Sequence, residues 1–258
     1  MVRVLVITGA GVSAESGIPT FRDQDGYWRN LDPIKLATPE AFARDPELVW
    51  QWYRERRQRI RNAQPNAAHE AIARLAQCAD EFLLVTQNVD DLHERAGLAK
   101  AEMVQIHGDI FVTKCSRCDF VDTGKGGGPP EPPASSAVYP HSGRLESIAP
   151  TSERDGDLPW CPKCDTLMRP GVIWFGESLP APETERVENY LQRDSCGVVI
   201  VAGTTATFGY IIDWALRASH RGELIEVNPE ETPLSRFATR LVREPAAVAL
   251  PRIVDQMI

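Results

Sequence analysis

Six cysteines in 258 residues are too few for a disulfide scaffold, which in secreted proteins is dense and confined to short chains. Positive charge is also short. Lys and Arg number 28 against 36 Asp and Glu, a net charge of −8, so the chain lacks the basic footprint of a nucleic-acid binder. Aromatics make up only 7 %. No apolar run approaches the ~18 residues of a membrane span. No internal repeat and no long low-complexity tract mark a solenoid or a disordered chain. What remains is ordinary globular usage, 43 % hydrophobic and 25 % charged. The opening Met1–Gly9 reads as a strand rather than a secretory leader, and the expected setting is the reducing cytoplasm, with no membrane and no nucleic-acid partner.

Short runs rich in Val, Ile and Leu recur at Val4–Thr8, Phe82–Thr86, Val198–Ala202 and Leu224–Val227. Continuous apolar runs of this length suit strands buried on both faces of a parallel sheet. Helical patterns lie between them at Pro46–Ile60, Asn66–Gln77 and Thr207–Ser219, the second opening on an Asn cap. Strands alternating with helices predict a doubly wound α/β domain. The segment from Cys115 to Cys164 breaks the rhythm. Its residues 124–133 read Gly-Lys-Gly-Gly-Gly-Pro-Pro-Glu-Pro-Pro, which predicts a surface loop within a small inserted module.

Four candidate sites stand out. The first strand runs into Gly9-Ala10-Gly11-Val12-Ser13-Ala14, a G-x-G-x-x-A turn. Glycines there let the backbone approach a pyrophosphate that the next helix's N–H groups would hold. A purely structural turn fits the same residues. No acidic residue stands where a dehydrogenase would hold the ribose, so ordinary hydride transfer is a poor fit. The second strand ends in Gln87-Asn88-Val89-Asp90. These residues either face a ligand crevice at the carboxyl end of the strand or cap the next helix. His107, at a strand end before Gly108, is placed for a general base, although a lone histidine is more often structural. Cys115-x-x-Cys118 and Cys161-x-x-Cys164 offer four thiolates, which close a tetrahedral zinc shell and make the site structural. The 42 residues between the pairs exceed the usual ribbon spacing, an excess the Gly/Pro loop accounts for. Cys78 and Cys196 are expected to be reduced core residues.

Taken together these motifs resemble the sirtuins, the NAD-dependent protein deacylases. The match runs through Gly9–Arg22, Gln87–Asp90, His107-Gly108, both cysteine pairs, Pro170–Glu177, Gly203-Thr204-Thr205 and Val227-Asn228, in order along the chain. The resemblance implies a Rossmann-like doubly wound NAD domain (1–114 and 165–258), a small inserted zinc-ribbon module (115–164), a helical part near 30–65 and a substrate cleft. It implies NAD contacts at Gly9, Ala10, Gly11, Ser13, Ala14, Thr20, Phe21, Arg22, Trp28, Gln87, Asn88, Asp90, His107, Gly203, Thr204, Thr205, Asn228, Pro229, Glu230 and Ala246. It also implies catalytic roles for His107, Asn88 and Asp90, and a peptide-pairing segment with Val172, Trp174, Phe175, Gly176 and Glu177.

In the implied reaction the acyl-lysine carbonyl oxygen displaces nicotinamide from NAD, and His107 then takes a proton from a ribose hydroxyl. The products are nicotinamide, 2′-O-acyl-ADP-ribose and free lysine. A NAD glycohydrolase, an ADP-ribosyltransferase or a NAD-sensing module on the same fold is the alternative. The chain departs from the family pattern at Thr205, at Asp109 and over Thr207–Tyr210, where the family's segment ends near a proline. Tyr53 and Arg56, three apart on a helix, resemble the Tyr-x-x-Arg pair of the branch that removes succinyl, malonyl and glutaryl groups. Ala37 resembles the small wall of the same acyl pocket. The bland reading of 54–61, which holds five arginines, is a solvated helix face.

Overall fold

The computed structural model describes residues 2–20, 32–124 and 158–258. Phe21, Arg22, Trp28 and most of the Gly/Pro loop lie outside the described residues.

The elements run in the order β1 (Arg3–Thr8), α1 (Pro33–Leu36), α2 (Pro39–Arg44), α3 (Pro46–Asn62), α4 (Ala67–Cys78), β2 (Glu81–Thr86), α5 (Leu92–Arg95), β3 (Met103–Gln105), β4 (Gly108–Cys115), β5 (Val121–Asp122), β6 (Met168–Val172), α6 (Ala181–Leu191), β7 (Val198–Ala202), α7 (Gly209–Ala218), β8 (Glu223–Val227), β9 (Arg240–Val242) and α8 (Ala246–Asp255). Among the described residues no helix is long and apolar enough to cross a membrane.

Two compact units result: Met1–Ile110 with Val172–Ile258, and Phe111–Gly171. The first holds a six-stranded parallel sheet in the order β3-β2-β1-β7-β8-β9. The four apolar runs form its centre, and alternate residues serve opposite faces. Val4 and Val6 join Leu84, Ile200 and Ile225 under α4 and α8, whereas Leu5 and Ile7 join Leu83, Val85, Val199 and Val201 under α6 and α7. Each fully buried aliphatic side chain contributes about 1.5–3 kcal/mol. Successive strands step one way from β1 to β3 and the other way from β7 to β9. The reversal falls between β1 and β7, and in such sheets ligands bind outside the strand ends at that point.

Several local expectations are corrected. The β1 turn does not enter a regular helix; Ala10–Val12 and Ala14–Ser16 form two single 3₁₀ turns. Helix α7 starts at Gly209 rather than Thr207. Cys78 is exposed at the end of α4, not in the core, while Cys196 is buried as expected. In the second unit, β5-β4-β6 form a small sheet. This unit is wider at both ends than the cysteine-bounded segment 115–164.

Candidate functional site

At the switch point the turns after β1 and β7 pack backbone against backbone. Gly9 N–H donates to the Ala202 carbonyl at 3.1 Å, and Gly11 N–H to the Gly203 carbonyl at 2.8 Å. Gly203 has φ +60, and a Cβ added there would lie 2.5 Å from the Val12 nitrogen. A Cβ on Gly9 would lie 2.7 Å from Thr204 Cβ. Glycine is thus required by the contact of the two turns, whatever ligand they also meet.

Side chains from the other strand ends converge on the same place. Gln87 Nε2 donates to Thr204 Oγ1 at 2.9 Å and to the Thr8 carbonyl at 3.2 Å. Asn228 Nδ2 donates to the Thr204 carbonyl at 2.7 Å. Asn88 is buried and donates to the Gly9 carbonyl at 3.1 Å and Ser13 Oγ at 3.2 Å. Asp90 takes the helix-capping role and is also tied to the β1 turn. Its Oδ1 accepts from the Leu92 N–H at the start of α5, and its Oδ2 accepts from the Ser13 hydroxyl at 2.9 Å. Burial pushes the Asp90 carboxyl up from its ordinary range, opposed by the bonds from Leu92 and Ser13.

Beneath this layer lie two buried histidines that no sequence motif marks. His69 Nδ1 accepts from the Asn66 N–H in a capping box at the start of α4. Its Nε2 therefore carries the proton and points to Ser13 Oγ at 3.4 Å. His93 Nε2 lies 3.2 Å from Thr8 Oγ1, and the two imidazoles are 4.7 Å apart. Burial lowers both; His69 falls to about 4. The residues are 24 positions apart on different helices, and no spacing rule signals that they meet.

His107 follows β3 and is half-buried. Its Nδ1 lies 3.0 Å from the Gln87 carbonyl and its Nε2 2.7 Å from Tyr210 Oη. A carbonyl only accepts, so Nδ1 bears the proton and Nε2 the lone pair. Burial lowers the imidazole, partly opposed by the Gln87 bond, and the neutral form is favoured.

The segment after β6 is tied to the same region. Ile173 N–H donates to the His107 carbonyl at 2.8 Å and Phe175 N–H to the Ala37 carbonyl at 2.9 Å. Trp174 Nε1 donates to Tyr53 Oη at 2.9 Å, and its ring packs on Phe42 at 5.2 Å. The N–H groups of Trp174 and Glu177 are also used within the segment, which restricts strand addition here to other backbone groups. Val172 and Trp174 are buried; Phe175 and Gly176 are exposed.

On α3, Tyr53 is buried and the Arg56 guanidinium stacks over Trp52 at 4.8 Å and over Tyr53 at 5.9 Å. Desolvation lowers Arg56, while the fields of Tyr53 and Asp90 raise it. The solvated-face reading of 54–61 therefore fails at two arginines. Arg57 is 5 % exposed, donates from Nε to the Ile110 carbonyl at 2.6 Å and lies 5.2 Å over Trp50.

Elsewhere, Thr20 is half-buried at the end of the described β1 turn, and Ala10 and Ala14 line that turn. Thr205 Oγ1 pairs with Thr207 Oγ1 at 3.1 Å. Pro229 and Glu230 are exposed after β8, and Ala246 is buried at the start of α8.

In the second unit the Sγ atoms of Cys115, Cys118, Cys161 and Cys164 all lie within 4.8 Å of one another. Pairs stand at 3.4 Å (Cys115–Cys164) and 3.5 Å (Cys118–Cys161 and Cys118–Cys164). Zn–S bonds of about 2.3 Å in a tetrahedron set sulfurs ~3.8 Å apart, so the cluster fits zinc. The N–H groups of Arg117 and Cys118 both point at Cys115 Sγ at 3.3 Å, the turn of a zinc knuckle.

Residues 9–208 match the model of the Sir2 family. The chain belongs to the Sir2 family. It is 42 % identical over 252 residues to "NAD-dependent protein deacylase 1" of Archaeoglobus fulgidus, covering 97 % of this chain and 91 % of the relative. It is 40 % identical over 256 residues to the NAD-dependent protein deacylase of Aquifex aeolicus, covering 99 % and 95 %. A solved Sir2 homologue in complex with NAD superposes with a TM-score of 0.79 at 40 % identity, covering 98 % of this chain and 88 % of that one. The Rossmann-like sheet and the four-cysteine cluster are those of a Sir2 enzyme.

Proposed function

We propose that this NAD-dependent protein deacylase acts on acylated lysine side chains of proteins and prefers acidic acyl groups, succinyl and malonyl, over acetyl. The observation that carries the preference is the placement of Arg56. An arginine half-buried beside Tyr53, within the field of Asp90, is set to grip a carboxylate with two charge-assisted hydrogen bonds, and the tyrosine hydroxyl adds a third. An acetyl group has no carboxylate to hold. Ala37 supplies a small side chain next to the Val172–Glu177 segment, where a longer acyl chain needs room.

NAD is consumed as a co-substrate at the β1/β7 switch point. Gly9, Ala10, Gly11, Ser13, Ala14, Thr20, Gly203, Thr204, Thr205, Asn228, Pro229, Glu230 and Ala246 are its proposed contacts, with Phe21, Arg22 and Trp28. Gln87, Asn88 and Asp90 orient the nicotinamide half, an alignment role. His107, neutral and with Nε2 as its basic nitrogen, receives the proton of a ribose hydroxyl after nicotinamide has left. That oxygen then takes the acyl carbon, and water releases the lysine. The products are nicotinamide, 2′-O-acyl-ADP-ribose and the free lysine. The four-cysteine zinc has a closed shell and takes no part.

Mass spectrometry of succinyl-, malonyl- and acetyl-lysine peptides incubated with NAD tests this. Free lysine and O-acyl-ADP-ribose with kcat/KM highest for the acidic acyls are expected. Acetyl-lysine as the best substrate would remove the acidic preference, and nicotinamide release over an untouched peptide would point to a glycohydrolase.

A further inference from the structure

The basic nitrogen of His107 is already engaged in the resting protein. Gln87 holds Nδ1–H, so Nε2 is the atom that must receive a proton, and Tyr210 Oη stands 2.7 Å from it. The hydroxyl therefore donates to Nε2.

Tyr210 is not placed to swing away. It sits in the first turn of α7, its ring is stacked on Phe208 at 5.6 Å and 16°, and it packs on Trp214 at 4.9 Å. Trp214 is buried and its Nε1 is tied to Glu188 at 2.8 Å. Phe208 also sets its ring edgewise against His107, 5.8 Å between centroids. The imidazole and the phenol are thus held relative to each other by packing on two aromatic rings, Phe208 and Trp214. Burial raises the Tyr210 hydroxyl and lowers His107, so the shared proton rests on tyrosine.

We propose that Tyr210 is a proton relay between the reacting ribose hydroxyl and His107, resting on the assignment of His107 as the base. The hydroxyl oxygen keeps acceptor capacity while its proton faces Nε2. In the step, the ribose O–H bond breaks and its proton forms a new O–H bond on Tyr210 Oη. The former Tyr210 proton moves to Nε2, giving an imidazolium whose Nδ1–H still donates to Gln87. The electron pair left on the ribose oxygen goes to the acyl carbon. Tyrosine begins and ends neutral, and no further reactant is needed. The pair was not visible in the chain, where the two residues lie 103 positions apart. The only signal was that 207–210 departs from the family pattern.

The test is Tyr210→Phe, which keeps both ring contacts and removes only the hydroxyl. Two reactions are read: acyl-peptide-dependent exchange of labelled nicotinamide into NAD, which precedes the proton transfer, and complete deacylation. Deacylation kcat is expected to fall roughly 10²-fold, with exchange and both KM values within about twofold of wild type. Deacylation at or above the wild-type rate overturns the relay and makes the hydroxyl a resting cap. Equal loss of exchange and deacylation also overturns it, as a structural effect. His107→Ala measured in parallel separates the two assignments. If it retains deacylation, the base assignment fails and the relay with it; if it is inactive while Tyr210→Phe is fully active, only the relay fails.

Discussion

Replacing Arg56 by methionine separates a carboxylate clamp from a structural cation. The guanidinium is buried enough that desolvation opposes its charge, and Asp90 is among the groups whose field supports it. A carboxylate brought into that place is bound by a charged donor in a low-dielectric setting. Losing such a partner costs about 2–4 kcal/mol, or roughly 30- to 10³-fold in kcat/KM for succinyl-lysine. Methionine keeps an unbranched stem and gives up the guanidinium's stack over the Trp52 ring, a loss common to both substrates. The assay is initial-rate deacylation of matched succinyl and acetyl peptides at fixed NAD. Acetyl turnover should stay within about twofold, because nothing in that group meets the guanidinium. Arg57 is unsuitable as a control, since removing it strands the Ile110 carbonyl. Arg59→Met, exposed in the last turn of α3, is the suitable one. The competing account makes Arg56 a counter-charge that keeps Asp90 ionised. It predicts that succinyl and acetyl activities fall together, and that result would refute the clamp.

Three further outcomes follow from the geometry. His69 is held near pKa 4 when folded against 6.5 for the free side chain. The unfolded chain therefore binds the extra proton, and stability present above pH 6.5 is lost as pH falls toward 4, by about 3 kcal/mol from this residue. Urea unfolding of wild type and His69→Gln at pH 7 and pH 4.5 checks it; a pH dependence identical in both would exclude His69 as the source. Purified protein should carry one zinc per chain by metal analysis, and Cys161→Ala should lose it and destabilise Phe111–Gly171, because a structural site contributes folding energy. Gly203→Ala should cost about 2 kcal/mol or more, since it combines a left-handed backbone with a contact to the Val12 nitrogen. A melting temperature equal to wild type would show that the two turns can part.

Where one kind of interaction dominates, the structure was legible in the chain. Val198–Ala202 is a strand over the residues that its apolar run marks, because burial on both faces leaves only the run's length to decide. Asn66 caps α4 through its side chain bond to the Ala68 N–H, a local interaction. The cysteine pairs were legible because a knuckle is a local turn. Legibility failed where a polar residue found its partner far along the chain. Glu81 and Glu223 extend β2 and β8 beyond their apolar runs, and Glu81 is held at 2.7 Å by both Arg3 and Arg193. The three-residue strands β3 and β9 pair only at the edges of the sheet, too short to carry a pattern.

The same reason governs the site. Motif positions were legible, but what joins them was not. Ser13 takes bonds from His69 and Asn88 and gives one to Asp90, linking β1, α4 and the β2 end through a single hydroxyl. Composition could not separate Arg56 and Arg57 from the exposed arginines around them. Turning toward Trp52 and Tyr53 in one case and the Ile110 carbonyl in the other is decided by what the rest of the chain brings to that face of α3. His107 was marked as a candidate base by position, yet its tautomer is set by Gln87 and its Nε2 is engaged by Tyr210, neither adjacent to it in sequence. The catalytic competence of a histidine resides in its two nitrogens' partners, and those partners are supplied by the fold rather than by the motif.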